Sequence, residues 1–174
     1  MTTLILDNSN KILYADTQET HNKSLIYKCS KLSLLKIQNK GIGILAESGD
    51  SAEIETFKHY VNTLKNLEQL KEVSDKRPNW KHVGGIIGLF NGNTFFLEGD
   101  GTPCPITDTY MTDGAGKEIA YALLKNNIDI SSIYLTLGEI TTHTSKDYYS
   151  VSFLKKPTFI EYHANENSKK ETKK

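Results

Sequence analysis

Two short β-favouring runs open the chain, Thr3 to Leu6 and Ile12 to Ala15, on either side of the polar cluster Asp7-Asn8-Ser9-Asn10. Turn formers between apolar runs predict a hairpin, so the start of the chain is expected to be held in a sheet. Lys31 to Ile37 and Gly41 to Ala46 give two further strands, joined by Gln38-Asn39-Lys40. The period then changes. Phe57, Tyr60, Val61, Leu64, Leu67 and Leu70 recur at helical spacing and form an apolar stripe expected to pack into the core. Asp50 is placed to cap this helix, with Glu53 as the reciprocal acid of a capping box. Lys71 to Lys81 is charged, contains Pro78, and reads as a loop.

The β pattern returns at Val83. Val83 to Phe90 and Thr94 to Leu97 flank Asn91-Gly92-Asn93, a strong hairpin signal. Gly99-Asp100-Gly101 and Pro103-Cys104-Pro105 read as a connection, followed by a short strand before Asp113. Gly114-Ala115-Gly116 opens a helix carrying Ile119, Ala120, Leu123 and Leu124, and Ser132 to Thr141 gives another. Tyr149 to Leu154 and Thr158 to Tyr162 are expected to close the domain as a strand pair. Strands, helix, strands, two helices, strands is not a βαβ alternation, and the order argues for an α+β fold in layers.

Composition narrows the function. The 174 residues carry 21 basic and 21 acidic side chains, a balance with no electrostatic footprint for nucleic acid or an anionic membrane. No apolar run approaches transmembrane length, and no signal peptide is evident at Met1-Thr2-Thr3-Leu4, so a cytoplasmic location is expected. Cys29 and Cys104 lack a CxxC partner, and the five histidines, His143 among them, show no metal-ligand spacing. Gly41-Ile42-Gly43 lacks the third glycine of a dinucleotide fingerprint. No metal and no cofactor is therefore expected. One domain, residues 1–164, is expected ahead of a disordered Lys-rich tail, residues 165–174.

Four segments carry a resemblance. They are Thr2-Thr3-Leu4-Ile5-Leu6 with Tyr14-Ala15-Asp16-Thr17-Gln18; Ser30-Lys31-Leu32 with Gly43-Ile44-Leu45-Ala46-Glu47-Ser48-Gly49-Asp50; the Asn-Gly hairpin, Gly99-Asp100-Gly101 and Asp113-Gly114-Ala115-Gly116; and Gly138-Glu139-Ile140-Thr141-Thr142-His143-Thr144. In that order and spacing the chain resembles the proteasome β-subunit family, and most of all the proteolytic subunits of the bacterial proteasome-like ATP-dependent protease. The resemblance implies a four-layer αββα sandwich of the N-terminal-nucleophile hydrolase type. It also implies a threonine peptidase that acts on unfolded polypeptide inside a homo-oligomeric ring, fed by an ATP-dependent unfoldase.

The resemblance assigns roles by position. With Met1 removed, Thr2 would carry a free amine, unperturbed at about 7.7–8.0, beside a hydroxyl that needs a base before it can attack. Asp16 and Lys31 match the acid and lysine that would polarise that amine and hydroxyl. Counting back from Asp50 puts the oxyanion N–H at Ala46, the preferred position, whereas counting forward from Lys31 puts it at Gly43. Ala115 stands where a supporting serine is expected, with Asp113 there in the alternative register. Thr141 replaces a late aspartate, and Thr144 supplies the hydroxyl that follows it. These replacements leave two further expectations open: a structural or binding protein that keeps the fold without turnover, and an amidohydrolase of small amides.

Overall fold

The computed structural model describes residues 2–21, 25–28, 30–72, 77–141, 144–154, 157–163 and 170–172; Met1, Cys29 and His143 lie outside them. Strands β1 (Thr3–Asp7) and β2 (Ile12–Asp16) form the expected hairpin, with Leu4 opposite Ala15. A second hairpin, β3 (Gln18–His21) and β4 (Leu25–Lys28), follows beyond the expected elements, with Leu25-Ile26-Tyr27 as its one short apolar run. Next come β5 (Leu32–Ile37) and β6 (Lys40–Gly49), turning at Gln38 and Asn39 with φ of 48° and 63°. Two left-handed residues match the twist of the strands they join. Asn62 pins this turn, accepting the Gln38 N–H on its carbonyl at 2.8 Å and the Asn39 N–H on Oδ1 at 2.7 Å.

Helix α1 (Ser51–Thr63) starts as expected, with Asp50 Oδ1 accepting the Ala52 and Glu53 N–H groups at 2.9 and 3.0 Å. The capping box does not close. Glu53 Oε2 accepts the Lys81 and His82 N–H groups instead, at 2.9 and 2.8 Å, while the Asp50 N–H donates to His82 O. The acid therefore ties the incoming loop to the helix. The apolar stripe also spans two elements: α1 ends at Thr63, and Leu67–Lys71 is a separate 3₁₀ turn. Asn66 restarts the chain by accepting the Gln69 N–H, yet Leu70 still reaches the core.

The remaining elements are β7 (Val83–Leu89), β8 (Thr94–Leu97), β9 (Pro103–Pro105), β10 (Tyr110–Gly114), α2 (Lys117–Lys125), α3 (Ile130–Ile140), β11 (Tyr148–Ser152), β12 (Phe159–Tyr162) and β13 (Lys170–Thr172). The Pro-Cys-Pro connection is thus a strand. It pairs only with β8, at a sheet edge, where missing N–H donors are tolerated. Helix α3 begins two residues ahead of Ser132 because Asp129 caps it, accepting the Ser132 N–H at 3.0 Å. Strand β13 falls within the Lys-rich segment read as a tail and pairs with β12.

Among the described residues the fold is mixed α/β, with two large antiparallel sheets, the separate two-stranded pair β3–β4 and three α-helices. One sheet has six strands in the order β10-β1-β2-β11-β12-β13, and the other five in the order β5-β6-β7-β8-β9. Three apolar clusters hold these elements together. Ile54, Phe57 and Val61 of α1 pack on Leu35, Leu45 and Ile87 of the five-stranded sheet. Leu4, Leu6 and Leu13 of one sheet meet Leu32, Ile44 and Ile86 of the other. On the opposite face of the six-stranded sheet, Ile5 and Tyr148 contact Ala120, Leu124, Ile133 and Leu137 of α2 and α3. Successive residues of β1 therefore face different clusters, as the strand period of two requires.

Gly88 of β7 marks a close approach between the sheets. A Cβ there would lie 2.5 Å from the Phe153 ring. Gly88→Ala is expected to lower stability by about 1–3 kcal/mol, seen as a reduced urea midpoint at unchanged slope. Gly41→Ala, which meets only the flexible end of Leu34 at 3.2 Å, should change the midpoint little.

Candidate active site

The register of the first hairpin generates the site. Leu4 opposite Ala15 brings Thr3 beside Asp16, and the Thr3 N–H donates to Asp16 Oδ1 at 2.7 Å. Lys31 arrives from the other sheet, immediately before β5. Its Nζ lies 2.9 Å from Asp16 Oδ1 and 3.0 Å from Oδ2. Asp16 is 0 % exposed and Lys31 6 %. The Gln18 N–H also reaches Oδ2 at 3.1 Å, with the Ser145 N–H at the long distance of 3.5 Å. Burial pushes the Asp16 carboxyl upward from the ordinary carboxylate range, and Lys31 with the Thr3 and Gln18 N–H groups pulls against it. A carboxylate can sit this deep only with such partners.

Thr2 and Thr3 are held through the backbone on both sides. The Ala115 N–H donates to Thr2 O at 2.7 Å. Gly114, opposite Thr3, has φ of 87°, and a Cβ on it would come within 1.9 Å of Thr2 O, so no side chain fits there. Thr3 O accepts the Tyr134 hydroxyl at 3.2 Å, and Thr3 Oγ1 shares a hydrogen bond with Thr144 Oγ1 at 2.7 Å. Tyr134 is fully buried, and that burial holds its phenol far above the ordinary range, as a neutral donor. Leu4 and Leu6 face the space between the sheets. The same alternation turns Thr3 toward α2 and α3, and half-buried Thr2 immediately precedes the strand.

Thr2, Asp16 and Lys31 are thus gathered at one end of β1, and Thr144 joins them through Thr3. Asp113 is near this end too, where its Oδ2 accepts the Ser48 hydroxyl at 2.5 Å and links β10 to β6. Ala115 contributes its backbone N–H only. Ala46 lies opposite Leu32, next in sequence to Lys31, but inside the ladder. The Glu47 N–H donates to Lys31 O at 2.8 Å, so strand alternation directs the Ala46 N–H the other way, toward Ile86 of β7. Gly43 lies three residues further along β6, where a Cβ would come 2.4 Å from Gly88 O; its glycine serves the close approach of two strands. Thr141 caps the end of α3, its N–H on Leu137 O at 2.9 Å, and its buried hydroxyl has no partner among the described residues.

Three contributors escape a reading of the sequence by resemblance. Thr3 could have been found from the two-residue period that sets it on the face of β1 opposite to Leu4. Ser48 lies within a matched segment but carries no role there. Tyr134 gives no local signal, because its hydroxyl meets Thr3 O only when residues 131 positions apart are brought together.

No family model matches the chain, and no curated protein sequence matches it. Solved structures do. The chain is similar to Thiobacillus denitrificans BPH at a TM-score of 0.60 and 12 % identity, over 86 % of this chain and 96 % of that one. It is likewise similar to the eukaryotic HslV from Trypanosoma brucei at a TM-score of 0.60 and 16 % identity, over 85 % and 97 %. At such identities the likeness is one of fold.

The buried pair makes a direct prediction about stability. Lys31→Met leaves the Asp16 carboxylate without its cation and is expected to cost about 3–5 kcal/mol in urea unfolding. Adding Asp16→Leu to that variant should recover part of the loss, giving a clearly non-additive double-mutant cycle.

Proposed function

We propose that this chain is a threonine-type amide hydrolase of the proteasome-like kind, with Thr2 as nucleophile once Met1 is removed. The observation that carries the reading is the buried Asp16 carboxylate, shared by the Lys31 ammonium and the N–H that follows Thr2. In this reading the pair would hold a cation near the residue whose hydroxyl must be activated. The two sheets between helices support a four-layer αββα arrangement with Thr2 at the mouth between the sheets.

In this mechanism the Thr2 α-amine takes the hydroxyl proton as Oγ1 attacks a peptide carbonyl carbon. Lys31 favours the neutral amine and the developing oxyanion, and Asp16 keeps Lys31 charged and oriented. The tetrahedral intermediate expels the amine product, which leaves with the proton held on the α-amine. Water then attacks the Thr2 ester, its proton passing to the same amine; the acyl C–Oγ1 bond breaks, the amine returns that proton to Oγ1, and the acid product leaves. Ala46 or Gly43 would donate to the oxyanion, at the expense of a bond in the β5–β6–β7 ladder. Asp113 and Thr144, with Ala115 and Thr141 beside them, would shape the surroundings of the amine. The natural substrate in this reading is unfolded polypeptide, cleaved within a homo-oligomeric ring that an ATP-dependent unfoldase supplies.

A second reading is a structural or binding protein with this fold. It is favoured by Ala115, which offers no hydroxyl, and by the engagement of the Ala46 N–H with β7. A small-amide hydrolase would use the same Thr2 chemistry on a different substrate.

Intact mass and labelling separate these readings. The proposal expects loss of Met1 and one adduct from a peptide epoxyketone, which requires both a free amine and its neighbouring hydroxyl. Thr2→Ala should give no adduct. A mature chain that retains Met1 ends the Thr2 mechanism; a processed chain with no adduct supports the second reading, and an adduct without peptide cleavage the small-amide one. Restoring a hydroxyl with Ala115→Ser is further expected to raise turnover roughly tenfold.

A further inference from the structure

At the far end of the five-stranded sheet lies a groove of about 560 Å³, away from Thr2. β5 separates the two places, since Lys31 precedes its first residue while its last residue, Ile37, lines the groove. Six residues of strand span roughly 17–20 Å. The groove is apolar along Ile42, Leu67, Leu89 and Phe90, and Lys40 and Lys65 stand at it as exposed cations. Its lining includes no acidic residue, and neither lysine forms an ion pair with a described residue. Both lysines are therefore positive charges beside an apolar surface with no counter-ion among the described residues.

The walls are fixed before any ligand arrives. Asn62 holds the β5–β6 turn through its carbonyl and Oδ1, and Asn39 Oδ1 accepts from Asn62 Nδ2 at 3.0 Å. Across the groove, the Phe90 N–H donates to Ile42 O at 3.0 Å. The Lys65 N–H is held by Gln69 Oε1 at 2.7 Å, which positions the start of the 3₁₀ turn. A preformed apolar cleft of this size with a few convergent polar groups is the usual form of a small-molecule site.

We propose that this groove is a second binding site, separate from Thr2, for an amphipathic monocarboxylate: an apolar chain or ring against Leu67, Leu89 and Phe90, and a carboxylate between Lys40 and Lys65. Charge complementarity selects this occupant. A cationic amphiphile would face two like charges, and the chain's own Lys-rich terminus carries the same sign. The proposal does not depend on the chemistry assigned to Thr2.

Decanoate is the probe. In ¹H–¹⁵N correlation spectra of the full chain it is expected to shift the amides of Ile42, Leu67, Leu89 and Phe90 in a saturable way. By calorimetry, the double variant Lys40→Glu/Lys65→Glu should bind it at least about tenfold more weakly, as should the wild type with decyltrimethylammonium. Both lysines are exposed, and an unchanged thermal midpoint for the variant verifies that folding is intact. Equal binding of the cationic amphiphile, equal binding by the variant, or shifts confined to other parts of the chain would each overturn the proposal. So would the absence of any shift because a second copy of the chain covers this face in solution.

Discussion

A carboxylate taken out of water must replace a hydration shell with fixed donors, and at Asp16 that requirement organises the start of the chain. Its oxygens are met by a lysine from the other sheet and by the N–H groups of Thr3 and Gln18. None of these can shift far without leaving a buried charge unpaired. The ion pair thus joins the two sheets at one end and fixes the direction in which residue 2 leaves β1. Thr3 is held further by Tyr134 and Thr144, so strand register, sheet contact and the placing of Thr2 depend on a single desolvated group.

The apolar clusters explain why the polar contacts lie where they do. β1 supplies Leu4 and Leu6 to the packing between the sheets and Ile5 to the helices on the other face. A strand covered on both faces has no exposed surface for polar chemistry along its length, so such groups collect at its ends. One end carries Thr2, Asp16 and Lys31. At the opposite end of the neighbouring sheet, turns and the 3₁₀ segment diverge enough to leave a groove, where two lysines with no ion pair among the described residues stand beside apolar side chains.

The pairing of β6 on both edges sets a tension inside the candidate site. Continuous pairing through Gly49 stiffens the wall next to Lys31 but engages the amide of Ala46 with β7. A site that stabilises an oxyanion needs an N–H aimed at the substrate. The same ladder that orders this wall therefore weakens its ability to donate. Ala115 acts in the same direction: its backbone N–H secures Thr2 O, whereas its methyl group can neither donate nor accept.

Local patterns were enough to place most of the elements. The turn formers between apolar runs located the three hairpins β1–β2, β5–β6 and β7–β8, and Asp50 marked the start of α1, because these signals act over a few residues. The β3–β4 hairpin offered only the short run Leu25-Ile26-Tyr27 against a polar partner strand, and the stripe from Phe57 to Leu70 could not reveal its own interruption, since a side-chain cap at Asn66 leaves the hydrophobic period intact. Glu53 had the right spacing for a capping box and was drawn instead to two amides 28 and 29 residues away. The resemblance of their segments to the proteasome β-subunit family nominated Thr2, Asp16 and Lys31. Tertiary structure decided that a carboxylate and an ammonium 15 positions apart would meet in the interior, that the hydroxyls of Thr3 and Thr144 would bond across 141 positions, and that the Ala46 amide would face a neighbouring strand. Burial and hydrogen-bond direction depend on which chain segments close around a group, and sequence spacing alone does not contain that information.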